Sequence, residues 1–231
     1  MKTLKAIILF CPLMFQSAMA QEFRSSLALD YAIFSKMNAE LEFKACQSFI
    51  PDKYSKKTIQ GSLDYSLSKR WKLSASYAWS SVSKFTGNTE EIGEETLDRQ
   101  RYTADLFYKP KRFDNELRLT NKFRYQYSVT ENSKSKAYIR NKITLDYKFS
   151  KILEPYIALE PYYNIHAQRF SYLRLYIGNE MTVMKTKMEM YYIAEARLNE
   201  ENFGVQYMLG IKLNIEYPVK GFIKHRFCAN L

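Results

Sequence analysis

The stretch "RWKLSASYAW" (70–79) interleaves two kinds of position: Trp71, Leu73, Ala75, Tyr77 and Trp79 alternate with Lys72, Ser74, Ser76 and Ala78. A period of two gives a β-strand one apolar and one polar face. The same alternation recurs along the chain. "SLALDYAIF" (26–34) puts Leu27, Leu29, Tyr31 and Ile33 on one face, and "AELEFKA" (39–45) sets Leu41 and Phe43 against Glu40, Glu42 and Lys44. "TIQGSLDYSL" (58–67), "RQRYTADLFYK" (99–109), "ELRLTNKFRYQY" (116–127) and "AYIRNKITLDYKF" (137–149) continue the series, with further strands at about 155–165, 170–182, 185–195 and 203–217. "VKGFIKHRF" (219–227) is a weaker twelfth candidate. The connections are polar: "SKMN", "SKR" and "PKRFDN" fall at one end, and the longer "IPDKYSKK", "SVSKFTGNTEEIGEETLD" and "VTENSKSK" at the other.

Strand length decides what the apolar face looks at. Many of these strands run well beyond the ~5–6 residues usual in soluble proteins. A strand of ~11 residues at ~3.3 Å each, tilted about 40–45°, rises roughly 25 Å, the height of a membrane barrel's apolar band. Trp71 and Trp79 stand eight residues apart on the apolar face, so one strand touches both water interfaces, where amphipathic rings concentrate. Tyr108, Tyr127, Tyr147 and Tyr217 also lie near strand ends and are expected at those interfaces. The expected fold is all-β: a closed antiparallel up-and-down transmembrane β-barrel of ten to twelve strands. The apolar side chains then face lipid. The lumen receives the charges: Arg99, Arg101, Asp105, Glu116, Arg118, Lys122, Arg124, Arg140, Lys142, Asp146, Glu160 and Glu180. In a barrel of that size they stand close enough to pair across strands.

Composition agrees. Aromatics make up 16% of the chain, with 19 Tyr, while Gly and Pro number 7 and 6, which excludes disorder. Residues 1–20 read as a secretory signal: basic "MKTLK", apolar "AIILFCPLMF", and Ala18-x-Ala20 before the expected cleavage. The remainder, 21–231, reads as one barrel domain, and no later apolar run is long enough for a helical span. Cys46 and Cys228 fit neither a disulfide framework nor a zinc site; a single bridge between them and two free thiols near the rim are both open.

Five segments, "DRQRYTADLFY", "LRLTNKFRYQY", "YIRNKITLDYKF", "EPYIALEPYYN" and "YLRLYIGNEM", resemble the Arg-punctuated strands of an uncharacterised family of Gram-negative outer-membrane β-barrels, catalogued as a domain of unknown function. The resemblance spans roughly 57–217 and implies an outer-membrane barrel, with no activity or catalytic residue attached.

Candidate chemistry is sparse. A lipid hydrolase needs a His–Ser pair near one rim; His166 and Ser171 lie across a turn, and His225 sits in the tail. No cofactor or metal is expected. Glu90, Glu91, Glu94 and Glu95 read as a solvated loop, with divalent-cation capture as the alternative. The basic residues alternate with apolar ones among carboxylates, which argues against nucleic acid and for lipopolysaccharide contact or anion preference in a narrow lumen. Asn121 and Asn141, polar on apolar faces, fall opposite each other if the hairpin centres on Glu131, and would then bond laterally or mark a homo-oligomer contact. The leading expectation is a porin-like narrow channel or structural envelope protein contacting outer-membrane lipid and lipopolysaccharide. A lipid-modifying barrel enzyme and a soluble secreted barrel binding an apolar ligand are the alternatives.

Overall fold

The computed structural model describes residues 20–49, 54–86, 93–113, 116–131, 133–184, 186–198 and 204–217. The signal segment before Ala20, the candidate strand 219–227, Cys228, His225, Glu90 and Glu91 lie outside them, as do the side chains of Glu94 and Glu95.

Eleven strands run among the described residues: β1 (Glu22–Phe34), β2 (Met37–Ser48), β3 (Tyr54–Ser66), β4 (Trp71–Thr86), β5 (Gly93–Tyr108), β6 (Leu117–Thr130), β7 (Ser133–Tyr147), β8 (Leu153–Asn164), β9 (Arg169–Val183), β10 (Thr186–Arg197) and β11 (Val205–Tyr217). Each pairs with its sequence neighbours, and β1 pairs with β11 to close the barrel. Every hairpin is antiparallel. The closing seam, from Glu22↔Met208 to Tyr31↔Tyr217, is parallel. An odd number of alternating strands forces this, because β1 and β11 then point the same way. The expected closed barrel is present, and its purely antiparallel pairing is corrected at this one seam.

The expected contrast between short and long connections is also corrected. At the near rim, where β1 starts, the strands are joined by 49–53, 87–92, 131–132, 165–168 and 198–204; at the far rim by 35–36, 67–70, 109–116, 148–152 and 184–185. The 81–98 segment, read as one loop, is mostly ladder: β4 and β5 remain paired to Thr86↔Gly93. Hydrophobic alternation ends where the apolar band ends, but backbone groups go on pairing beyond it.

The faces sort as the alternation requires. Leu27, Leu41, Ile59, Leu73, Leu119, Ile143, Ile157 and Leu175 point outward and are exposed, while Glu42, Asp105, Arg140, Asp146, Glu160 and Glu195 are buried inside. This inverts the distribution of a water-soluble protein, where large apolar side chains are buried and charges exposed. At the near rim the outer face turns polar one step beyond Trp79, at Ser81 and Ser83, with Lys57 and Asp98 paired across from Ser81.

Candidate functional site

The lumen has two unlike walls. On β3 to β5 many of the inward residues are short: Thr58, Ser62, Ser74, Ser76, Ala78, Ser80 and Thr103. Their hydroxyls pair across strands, Thr58 Oγ1 with Ser80 Oγ at 2.8 Å, so the wall satisfies its own polar atoms without projecting far. On β8 to β11 the inward residues are bulky. Ala158, Tyr176, Ile193 and Met208 form a buried cluster with Tyr156 and Tyr191 packed on it. Two glycines make room for those rings. Tyr156 lies opposite Gly178 and Tyr191 opposite Gly210. A Cβ at Gly178 would stand 2.5 Å from the Tyr156 Cζ, and one at Gly210 2.2 Å from the Tyr191 Cζ. The rings therefore lie against bare backbone and thicken this side of the barrel.

Charges fill the space between. Arg140 donates from Nε (3.1 Å) and Nη2 (2.7 Å) to Glu160 Oε1, and from Nη1 to Gln126 Oε1 at 2.8 Å. The second Glu160 oxygen accepts from the Tyr176 hydroxyl at 2.6 Å and the Tyr162 hydroxyl at 3.2 Å. Glu160 is only 1% exposed, so these bonds replace its hydration. Arg174 pairs with Glu195 and donates to Tyr162. The Arg140 and Arg174 guanidiniums lie 4.2 and 4.7 Å from the Tyr162 ring centroid, adding cation–π contact. Arg124 Nε donates to Asp105 at 2.6 Å, with Lys122 3.9 Å from the same carboxylate. Towards the far rim Arg118 Nε donates to Asp146 at 3.1 Å.

Two cavities stand in the lumen among the described residues. The near cavity, about 610 Å³, is lined by Arg99, Arg101, Arg124, Arg140 and Lys142 among others; the far one, about 490 Å³, by Arg118, Lys142, Asp146 and Glu180. Lys142 and Glu189 border both and mark the narrow segment between them. There Lys142 Nζ sits 4.0 Å from the Tyr176 ring centroid, and the Tyr156 hydroxyl donates to Glu189.

Of the charges expected in the lumen, Glu116 is not there. It sits exposed at the far rim just before β6, accepting a 3.0 Å bond from the outward Tyr147 hydroxyl. β6 begins at Leu117, so the alternation that would have turned Glu116 inward no longer applies to it. Several lumen groups escaped the sequence reading. Arg24 lay before the first expected strand and Lys56 in the supposed connection "IPDKYSKK", while Arg174, Glu195 and Lys212 fell in strands whose polar face was not resolved. Arg112 lay in a supposed turn, yet it reaches Asp146 at 2.6 Å and Glu154 at 2.5 Å. Nothing in "PKRFDN" marks it for that role.

The aromatic residues expected at the membrane interfaces point outward. Trp71 and Tyr108 pair at 4.6 Å between ring centroids, Tyr127 faces Tyr102 across strands, and Tyr217 is exposed beside Tyr31. Asn121 and Asn141 are not opposite each other: the register pairs Asn121 with Ile143 and Asn141 with Phe123. His166 is exposed in the 165–168 turn, and no hydrogen bond joins it to Ser171. Cys46 is free and lines the near cavity, its Sγ 3.9 Å from the Tyr54 hydroxyl.

Among solved structures, the translocator domain of autotransporter NalP from Neisseria meningitidis is similar at a TM-score of 0.50 and 10% identity, over 77% of this chain and 74% of that one. The beta domain of the Bordetella autotransporter BrkA is similar at 0.48 and 10% identity, over 77% and 82%. At this identity the NalP likeness speaks for the barrel fold alone. No curated protein matches the chain. Residues 23–203, most of the sequence, match a family described as "Protein of unknown function (DUF2490)", and the chain belongs to that family.

Proposed function

We propose that the protein is an outer-membrane β-barrel acting as a narrow, anion-preferring channel. One observation carries this reading: the barrel is inside out relative to a soluble protein, with an apolar exterior edged by Trp71, Trp79, Tyr108, Tyr127, Tyr147 and Tyr217 and an ionic interior. Lipid and lipopolysaccharide cover such an exterior at little cost, and water does not. Among the described residues the lining of the near cavity counts twelve Lys or Arg against four Glu, a field that favours anions in a low-dielectric bore. The passage between the cavities, at Lys142, Glu189, Tyr156 and Tyr176, limits the current.

Planar-bilayer recording of the detergent-refolded protein tests this. Small discrete steps are expected, with a reversal potential under a KCl gradient displaced towards chloride. Tyr156→Ala, which removes a ring beside the narrow segment, is expected to raise the step size. A protein that stays soluble without detergent, or inserts and passes no current, overturns the channel reading.

A further inference from the structure

We propose that the near cavity is a binding site for a compact multivalent oxyanion, a solute carrying two or more phosphate or carboxylate groups, gripped by Lys56, Arg99 and Arg101. The inference rests on the lumen reading above and goes beyond it by naming a ligand class and the residues that hold it.

Many of the charges around the cavity are already matched. Among the described residues four carboxylates line the cavity and each has a partner: Glu22 takes Arg24 and Tyr54, Glu42 takes Lys44 and Lys212, Glu189 takes Tyr156, and Glu195 takes Arg174. Arg124 and Arg140 are held by Asp105 and Glu160. Lys56, Arg99 and Arg101 have no carboxylate within ion-pairing distance among the described residues, and the Arg99 Nε is buried with no acceptor. Leaving a buried charged donor unmatched costs more than an ordinary unmade hydrogen bond. Their charges also repel one another across the space they share.

Their placement suits a guest. Lys56 is on β3, and Arg99 and Arg101 are on β5. Between them β4 presents Ala78 opposite Arg101, Ser80 opposite Arg99 and Val82 opposite Lys56, so no side chain larger than valine on that strand stands among the three cations. Two strand spacings, about 10 Å, separate the outer backbones, a gap that long Lys and Arg side chains converge across. The fork of an arginine matches two oxygens of one phosphate or carboxylate, and two forks with an ammonium match a ligand bearing more than one such group. The cavity volume of about 610 Å³ is that of a small-molecule site. Because the passage beyond narrows at Lys142 and Glu189, the ligand is compact rather than polymeric.

The test uses pyrophosphate and citrate as the phosphate and carboxylate probes and acetate as the monovalent control, measured by titration calorimetry on the detergent-folded protein. Saturable binding of pyrophosphate or citrate, one per barrel and weakening with salt, is expected. Each lost cation in Lys56→Met and Arg101→Met should weaken binding about tenfold, the worth of one charge-assisted contact. Arg99→Lys, which keeps charge and loses the fork, should fall between. Heat-modifiable gel migration checks that each variant is folded. If a variant fails to fold, Cys46 decides in the Cys228→Ser protein: pyrophosphate or citrate should slow its labelling by a small charged thiol reagent added to the folded barrel. Binding no stronger than acetate, or labelling unchanged by both probes, overturns the site. A barrel that conducts without binding either probe removes this proposal and leaves the channel. Binding without conductance does the reverse.

Discussion

The two walls of the lumen are built from the same kind of strand and do opposite things. On β8 to β11, tyrosine rings rest on Gly178 and Gly210 and cover an apolar cluster, and the charged groups beside them are bonded on most of their atoms. On β3 to β5, small side chains cover much of the backbone; Lys72 is paired with Asp64 towards the far rim, but Lys56, Arg99 and Arg101 stand towards the near rim without carboxylate partners among the described residues. The first wall spends its charges on holding the barrel together; the second leaves them available. A buried ion pair resists loss of either member, because the survivor keeps its desolvation cost without its partner. An unmatched cation is the converse case, and removing it relieves repulsion. The packed wall should therefore carry stability, and the open wall should carry function.

The largest separation between the walls is expected from deleting one charge on each. Glu160→Ala strips Arg140 of its carboxylate and leaves the Tyr162 and Tyr176 hydroxyls without their acceptor. It should cost about 3–5 kcal/mol of stability. Arg101→Met, on the open wall, should cost nothing measurable or stabilise slightly. Urea unfolding in lipid vesicles, followed by tryptophan emission, measures both. Equal losses at the two positions would show that the walls are not different in kind.

The next effect concerns inside against outside, and it also tests the frame in which the walls are compared. Ile143 points outward near the middle of the apolar band, with 40% exposure, and its neighbour Thr144 lines the far cavity. An arginine at Ile143 should cost about 2–4 kcal/mol, the depth-dependent cost of a cation on the lipid face. The same arginine at Thr144 enters a space already holding Asp146 and Glu180 and should be tolerated. The readout is the fraction of heat-modifiable protein after refolding into vesicles. If Thr144→Arg fails and Ile143→Arg folds, the barrel is the other way out.

How far the sequence reveals this architecture depends on which signal each feature leaves. Alternation marks every one of the eleven strands, because an outward Leu or Trp and an inward Lys or Ser cannot exchange places without crossing into the wrong medium. Strand ends are less legible. Beyond Trp79 the outer face turns polar at Ser81 and Ser83 while Val82 lies on the inner one, the pattern stops, and pairing continues to Thr86. Register is lost in two steps: Thr130 pairs with Ser133, one residue past the partner a hairpin centred on Glu131 would give it, and the shift between Ser128 and Thr130 adds a second, which together move Asn121 off Asn141 and onto Ile143. The parallel seam leaves no trace in either of its strands, since only the parity of the strand count dictates it. The two walls are half visible. The small inward residues of "KLSASYAWS" stand out. Tyrosine occupies both faces in "LEPYIALEPYYN", outward at Tyr163 and inward at Tyr156 and Tyr162, so the packed wall is hidden by a residue type at home in both environments.

The smallest effect turns on two glycines. Gly210 has the Tyr191 ring where a side chain would go, whereas a Cβ at Gly61 on β3 would meet nothing within 4 Å. Gly210→Ala should force the ring off the wall and cost about 1–3 kcal/mol, the usual range for overpacking. Gly61→Ala should be neutral or stabilise by about 0.4–1 kcal/mol, since alanine has less freedom to lose on folding and fits an extended strand. A rescue makes the comparison specific: Tyr191→Leu alone loses ring packing, but combined with Gly210→Ala it should cost less than the sum of the two, because the methyl then fills space the ring has left. Strict additivity would mean that Tyr191 does not rest on Gly210, and the packed wall would lose the feature that distinguishes it from the open one.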